Sequence, residues 1–411
     1  MPSSTSYFPR SYAESRERFL SDAARLGADV RSWPIEAVGS DGEPLATDTA
    51  LIGAANATRL LIMTSATHGV EGFCGAGCQF ALMDDAPMQQ RARQAGVALL
   101  LVHAVNPYGF SWMARTDEGN VDLNRNAQPF GGTPLPANPG YGDLHPLLLP
   151  EEWPPSDENQ RDLARYVAEH GQAAFAQAVS RGQYTHADGL FYGGAAPAAS
   201  LANLRRILET QAGRYAHIGW IDVHTGLGPR GHGEKIYAGR RDDAEVARAR
   251  QWWGLDIAVP FQGTSASVDI TGHLAGLIYQ ACPDSSPTLM ALEYGTVPFD
   301  DIVLALRGRN WLRSNPDAPP ALRRDILQAT QDAFYCHAYD WHGMVLGQSR
   351  VAVLQALCGL QAAACRPQRP QSWPLIPRVA PAAGLSPQRV APVGPAPPGI
   401  TRELGVVLGY P

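Results

Sequence analysis

The sequence predicts an α/β fold with a mixed or mostly parallel sheet. Two patterns predict it. Four apolar runs of strand length occur at 59–65 (RLLIMTS), 95–107 (AGVALLLVHAVNP), 217–226 (HIGWIDVHTG) and 288–296 (TLMALEYGT). Segments with helical spacing lie between them, and strands alternating with helices build sheets of this kind. A third observation concerns placement. His68, Asn106, His224 and Glu293 fall at or just past the end of a predicted strand, where open α/β sheets carry their ligand sites.

Taken in order, residues 10–27 carry Arg, Glu and Ala at helical spacing and predict an opening helix. The first strand, 59–65, leads into a helix over 73–83. Cys74 and Cys78 lie near its start and read as small buried residues, because no second cysteine pair completes a zinc site. The second strand, 95–107, ends at Pro107. Residues 127–157 are rich in Pro and Gly and predict a long surface loop, a length that is unusual for a structureless connection. Helical patterns follow at 159–180 and 200–213, before the third strand, and at 242–253, where Trp252 and Trp253 read as packing residues. From about 366 the chain turns Pro-rich (RPQRPQSWPLIPRVAP), which predicts an extended or disordered tail. The expected organisation is one catalytic domain over 1–365, with its core at 55–300, and a tail over 366–411.

Composition narrows the function. A chain of 411 residues, 45% hydrophobic, is long enough for one large α/β domain. The net charge of −6 provides no basic footprint for nucleic acid. Six sparse cysteines in so large a chain suit free thiols in a reducing compartment. The first twenty residues contain no apolar signal core, and no run reaches the ~18 apolar residues of a membrane span. A cytoplasmic protein without a membrane or nucleic-acid partner is expected.

The chemistry begins at THGVEG. His68 and Glu71 form H-x-x-E in a Gly-rich turn directly after a strand. Catalytic zinc takes three protein ligands from His and carboxylate groups and keeps one position open. A near pair and one distant ligand build such a site, and His224 in WIDVHTGLG is the distant candidate. Asp222, two residues earlier, shares its side of the pleat. Two histidines and one glutamate also accept cobalt and other divalent ions.

Between these pieces lies NPYGFSWMARTDEGNVDLNRN, residues 106–126. The order H-x-x-E, N-P-x-G, D-x-N-R, strand-borne His, strand-borne Glu resembles the zinc carboxypeptidase superfamily over about residues 55–300. THGVEG, DVHTGLG and LEYGT look most like a bacterial branch between the carboxypeptidases and the aspartoacylase and succinylglutamate desuccinylase enzymes. The resemblance implies a three-layer α/β/α fold around a mixed, mostly parallel sheet. It implies one zinc ion per chain, held by His68, Glu71 and His224. By the same match Asp122 would orient a ligating histidine, Arg115 would stabilise the oxyanion, Asn124 and Arg125 would grip a substrate carboxylate, and Glu293 would be the general base.

The expected activity is a metallocarboxypeptidase-type hydrolysis of an amide bond beside a free carboxylate, in a peptide or small molecule. Two other readings stay open: a deacylase of N-acyl amino acids, and a non-catalytic zinc- or ligand-binding module. Structural roles also stay open for single residues. Glu293 could cap a turn, Arg125 could pair with Asp122, and Asn106-Pro107 could be a turn signal. Tyr279 and Tyr294 are candidates for a substrate-contacting tyrosine. His232 and His273 are candidates to line the pocket, and the other histidines, His145 and His186 among them, read as surface or core. Convergence of the His68, Glu71 and His224 side chains is the first structural expectation.

Overall fold

The structure is a computed structural model and describes residues 4–364. The Pro-rich tail lies outside the described residues. Seven strands form one sheet among the described residues: β1 (Asp29–Val38), β2 (Pro44–Ile52), β3 (Arg59–Thr64), β4 (Val97–His103), β5 (His217–Gly226), β6 (Gly233–Tyr237) and β7 (Ser286–Gly295). Their order is β1-β2-β4-β3-β5-β7-β6. The four central strands, β4, β3, β5 and β7, run parallel, and β1, β2 and β6 are antiparallel to their neighbours.

Period-two alternation divides the core. Leu61, Met63, Leu99 and Leu101 face one side, with the helices Tyr12–Arg25, Gly72–Asp84 and Tyr339–Ala364. Leu60, Ile62, Leu100 and Val102 face the other, with the helix Ala199–Ile207. Strands covered on both faces read as continuous apolar runs, which is why β3, β4, β5 and β7 stand out in the sequence. The result is the three-layer α/β/α arrangement expected from the resemblance.

Several elements differ from expectation. β4 stops at His103, and Asn106 caps the short helix Pro107–Ser111 by accepting from Gly109 N–H at 2.8 Å, so Asn106-Pro107 does mark a turn. The 159–180 segment is two helices, Asp157–His170 and Gln172–Ser180, separated at Gly171 with φ 85°. The expected loop at 127–157 contains a helix, Pro139–Leu148. The 200–213 segment ends in a π turn, Leu208–Ala212. β1, β2 and β6 were not expected. β1 is a half-exposed edge strand interrupted by Pro34, β2 buries Asp48 against Arg16 at 2.7 Å, and β6 has only five residues.

The helix Tyr339–Ala364 bears on the membrane expectation. It is long enough to cross a membrane, and its most apolar window reaches a mean hydropathy of 1.2, although its apolar runs are all far shorter than the ~18 residues of a span. Trp341, Val345, Val353, Ala356, Leu357 and Leu360 on this helix are buried in the core.

Candidate metal centre

The site forms where the parallel strands end. β3 stops at Thr64, and Ala66 takes a left-handed φ of 55°, which turns the chain sharply toward His68. A single 3-10 turn, Gly69–Glu71, then sets Glu71 over His68, because positions three apart eclipse in such a turn. Gly69 explains one glycine of THGVEG. A Cβ there would stand 1.9 Å from the carbonyl carbon of Gly109, so the H-x-x-E turn can seat on the N-P-x-G segment only without side chains at the contact. Gly69 and Val70 N–H donate to the Arg115 and Ala114 carbonyls across the same contact. On the other side, β5 and β7 pair in register, His224 opposite Glu293, which brings both to one end of the sheet.

The three expected ligands converge. His68 Nδ1 lies 2.8 Å from Glu71 Oε1, and His224 Nδ1 lies 3.0 Å from Glu71 Oε2 and 3.2 Å from His68 Nδ1. Donors about 2.1 Å from a tetrahedral ion stand about 3.4 Å apart, so this spacing fits a small divalent cation. All three residues are buried. The outer nitrogens face buried carboxylates: His224 Nε2 is 2.7 Å from Asp222 Oδ2, and His68 Nε2 is 3.3 Å from Asp122 Oδ1. Such partners fix ring orientation and leave the inner nitrogen for a metal. Asp222 is itself held by the hydroxyls of Thr64 and Thr67, at 2.6 and 2.9 Å from Oδ1.

The charges interlock. Burial pushes the Glu71 carboxyl up, but His68 and His224 beside it bring it down to about 2. Burial opposes ionisation of Asp122, yet Arg115 and Arg125 hold its carboxyl well below the usual carboxylate range. For His224, burial works against the proton, but Asp222 and Glu71 raise its pKa well above the ordinary histidine value. A divalent ion bound between His224 and Glu71 would take the place of a proton there.

All the expected site residues line one cavity: His68, Glu71, Arg115, Asn124, Arg125, His224 and Glu293. Arg115 Nε holds Asp122 Oδ2 at 2.9 Å, and its Nη2 approaches His68 Nε2 at 2.8 Å. Arg125 does not form the ion pair with Asp122. Its guanidinium donates to the Ser180 and Asn124 carbonyls, and burial lowers its pKa to about 10. Asn124 Oδ1 accepts from Leu274 N–H. Glu293 Oε1 accepts from Leu227 N–H at 2.9 Å. Burial, with the charge of Glu71, raises the Glu293 carboxyl to about 7.

Some expectations need correction. Tyr279 bonds Glu245 and Tyr294 bonds the Val345 carbonyl, and neither lines the cavity; Tyr237 does. His273 lines it, whereas His232 is exposed elsewhere. Trp252 and Trp253 are buried packing residues, and Cys74 and Cys78 are buried free thiols. The bracing roles of Asp222, Thr64 and Thr67 were missed, although the D-x-H spacing on one pleat face pointed to Asp222. Phe191 lies under both Arg115 and Arg125, at 4.7 and 5.5 Å from its ring, and no sequence signal marked it.

Three solved structures similar to this chain are thrombin activatable fibrinolysis inhibitor, carboxypeptidase A from Helicoverpa armigera and a metallo-carboxypeptidase from Burkholderia cenocepacia. The first is 11% identical, covers 86% of this chain and 74% of its own, and has a TM-score of 0.49. The second is 14% identical, covers 79% and 74%, and has a TM-score of 0.42. The third is 12% identical, covers 87% and 71%, and also has a TM-score of 0.42. No curated protein sequence matches this chain closely enough to count as a relative. A family model described as protein of unknown function (DUF2817) matches residues 8–348, most of the chain, and the chain belongs to that family.

Proposed function

We propose that this protein is a zinc-dependent hydrolase that cleaves an amide bond next to a free carboxylate. One observation carries the reading. A buried His–Glu–His donor set, His68, Glu71 and His224, shares its cavity with the carboxyl group of Glu293, held on one oxygen only by Leu227 N–H, and with two arginines.

His68, Glu71 and His224 would hold the ion, and Asp122 and Asp222 would keep the rings turned toward it. Bound zinc supplies an acidified water and a polarised carbonyl. Glu293 takes the water's proton and passes it to the leaving amine. Its Oε1 is pinned by Leu227 N–H, so Oε2 is the oxygen that exchanges the proton. A carboxyl raised to about 7 suits both halves of that task near neutral pH. Arg115 offsets the charge that develops on the carbonyl oxygen. Arg125 and the amide of Asn124 receive the substrate carboxylate, for which a guanidinium fork is the matching shape.

The test is a panel of short peptides and N-acyl amino acids, assayed with and without chelator. The reading predicts turnover that disappears on chelation and returns with zinc. It also predicts that substrates with an amidated terminus react far more slowly than those with a free carboxylate. Activity that ignores chelation, or the lack of any turnover in a zinc-loaded chain, would contradict it.

A further inference from the structure

A second cluster of donors lies outside the cavity. His145 sits in the last turn of the helix Pro139–Leu148, and His186 and Asp188 sit on the turn that follows Gln183. The imidazoles of His145 and His186 stack with centroids 4.0 Å and planes 24° apart, so one ring must turn out of the stack for both to face a single ion, and His145 Nε2 stands 3.5 Å from Asp188 Oδ1. One donor atom from each of the three residues lies within 4.8 Å of the other two.

The turn that carries two of these groups is held with unusual completeness. Gln183 Oε1 accepts from Thr185 and His186 N–H, and its Nε2 donates to the His186 and Leu190 carbonyls. Asn120 Nδ2 donates to the Ala187 and Gly189 carbonyls, and Asn310 Nδ2 to that of Asp188. Every carbonyl from 186 to 190 therefore has a side-chain donor. Tyr141 ties the helix of His145 to the same turn by accepting from Leu190 N–H at 2.6 Å. A framework this fixed sets His186 and Asp188 two positions apart and delivers them to His145.

The histidine side is equally suggestive. His145 Nδ1 is buried without a partner, so Nε2, the nitrogen near Asp188, is the one available to a ligand. Asp188, with 62% of its side chain exposed, leaves the cluster open to solvent and to exchange.

We propose that His145, His186 and Asp188 form a second divalent-cation site, separate from the cavity and independent of the hydrolase reading. Two imidazoles and a carboxylate select zinc, cobalt or nickel over the hard cations, with water completing the coordination. An ion there would staple the 183–190 turn to the helix Pro139–Leu148.

The experiment uses the full chain, stripped with chelator, titrated with zinc by calorimetry and counted for metal after desalting. Wild type is expected to take two zinc ions per chain. His186→Phe keeps a ring for the stack but removes the donor, and it should take one fewer ion than wild type. Its melting temperature in chelator should match that of wild type in chelator, and zinc should raise it less. The double variant His68→Ala/His224→Ala should keep the ion that His186→Phe loses. A His186→Phe chain that binds as many ions as wild type would overturn the proposal, as would a double variant that binds none. A chain that binds a single ion, lost in His186→Phe and kept in the double variant, would support this site and refute the one in the cavity.

Discussion

The molecule presents the same three donors, two histidines and one carboxylate, in two different settings. His68, Glu71 and His224 sit at the ends of parallel strands, buried, with Asp122 and Asp222 behind the rings and Glu293 in the same cavity. His145, His186 and Asp188 sit on a helix end and a turn, and His145 Nδ1 has no carboxylate or other hydrogen-bond partner among the described residues. On the proposed function, the first set binds an ion and does chemistry beside it. On the further proposal, the second only binds. What separates them is the surrounding shell, because the donors alone are nearly identical.

The sharpest way to break this contrast is to remove a donor from the cavity. His224→Ala should lose the cavity's zinc and all measurable turnover while His145, His186 and Asp188 keep their ion. Metal counting and an assay on one preparation read both effects. Residual zinc-dependent turnover in that variant would show that the cavity is not the reaction centre.

A milder variant tests the shell itself. Asp222→Asn leaves every donor in place but removes the charge behind His224. Zinc affinity should fall by about 10–100-fold, the usual cost of losing such a partner. An unchanged affinity would mean that Thr64, Thr67 and Asp222 serve packing rather than the metal.

A fifth histidine shows what a buried imidazole does without a carboxylate against the ring. His103 ends β4, stacks on Phe19 and keeps only Ser15 Oγ at 3.3 Å. Burial lowers its pKa to about 4. Unfolded, the ring takes a proton below about 6.5, whereas the folded state refuses it until about 4. Its contribution is therefore intact above about 6.5 and is lost as the pH falls toward about 4. His103→Gln should remove that dependence. Between pH 7 and pH 5, wild type should lose about 2 kcal/mol more stability than the variant in denaturant titrations. Parallel pH profiles would show that the ring is not held neutral.

The candidate centre was readable in the sequence because its residues lie at or just past the ends of strands buried on both faces, which appear as largely apolar runs. His68, Glu71, His224 and Glu293 each follow from that pattern and from the order of the motifs. β1, β2 and β6 left no such trace, because Pro34 on the edge strand β1, Asp48 on β2, and Glu234 and Lys235 on the edge strand β6 interrupt their apolar residues. The His145 cluster was invisible for another reason. Forty residues of helix and turn separate its members, and only the folded Gln183–Asn120–Asn310 framework brings them together. Phe191 under the two arginines was hidden in the same way.

The smallest effect is expected at the C-terminus. The Pro-rich composition of residues 366–411 is the basis of this expectation. A chain ending near residue 366 should keep its metal, its melting temperature and its turnover. Loss of any of these would make the tail part of the working protein.

The claim that separates the two regions most directly is that Glu293 makes the cavity reactive. Glu293→Gln keeps the size and the Leu227 contact but cannot carry the proton. Zinc content, melting temperature and turnover should be measured on a single preparation. The account predicts normal zinc, a melting temperature close to wild type and turnover reduced by about 10²–10⁴-fold. A stable, zinc-loaded and fully active Glu293→Gln protein would contradict it.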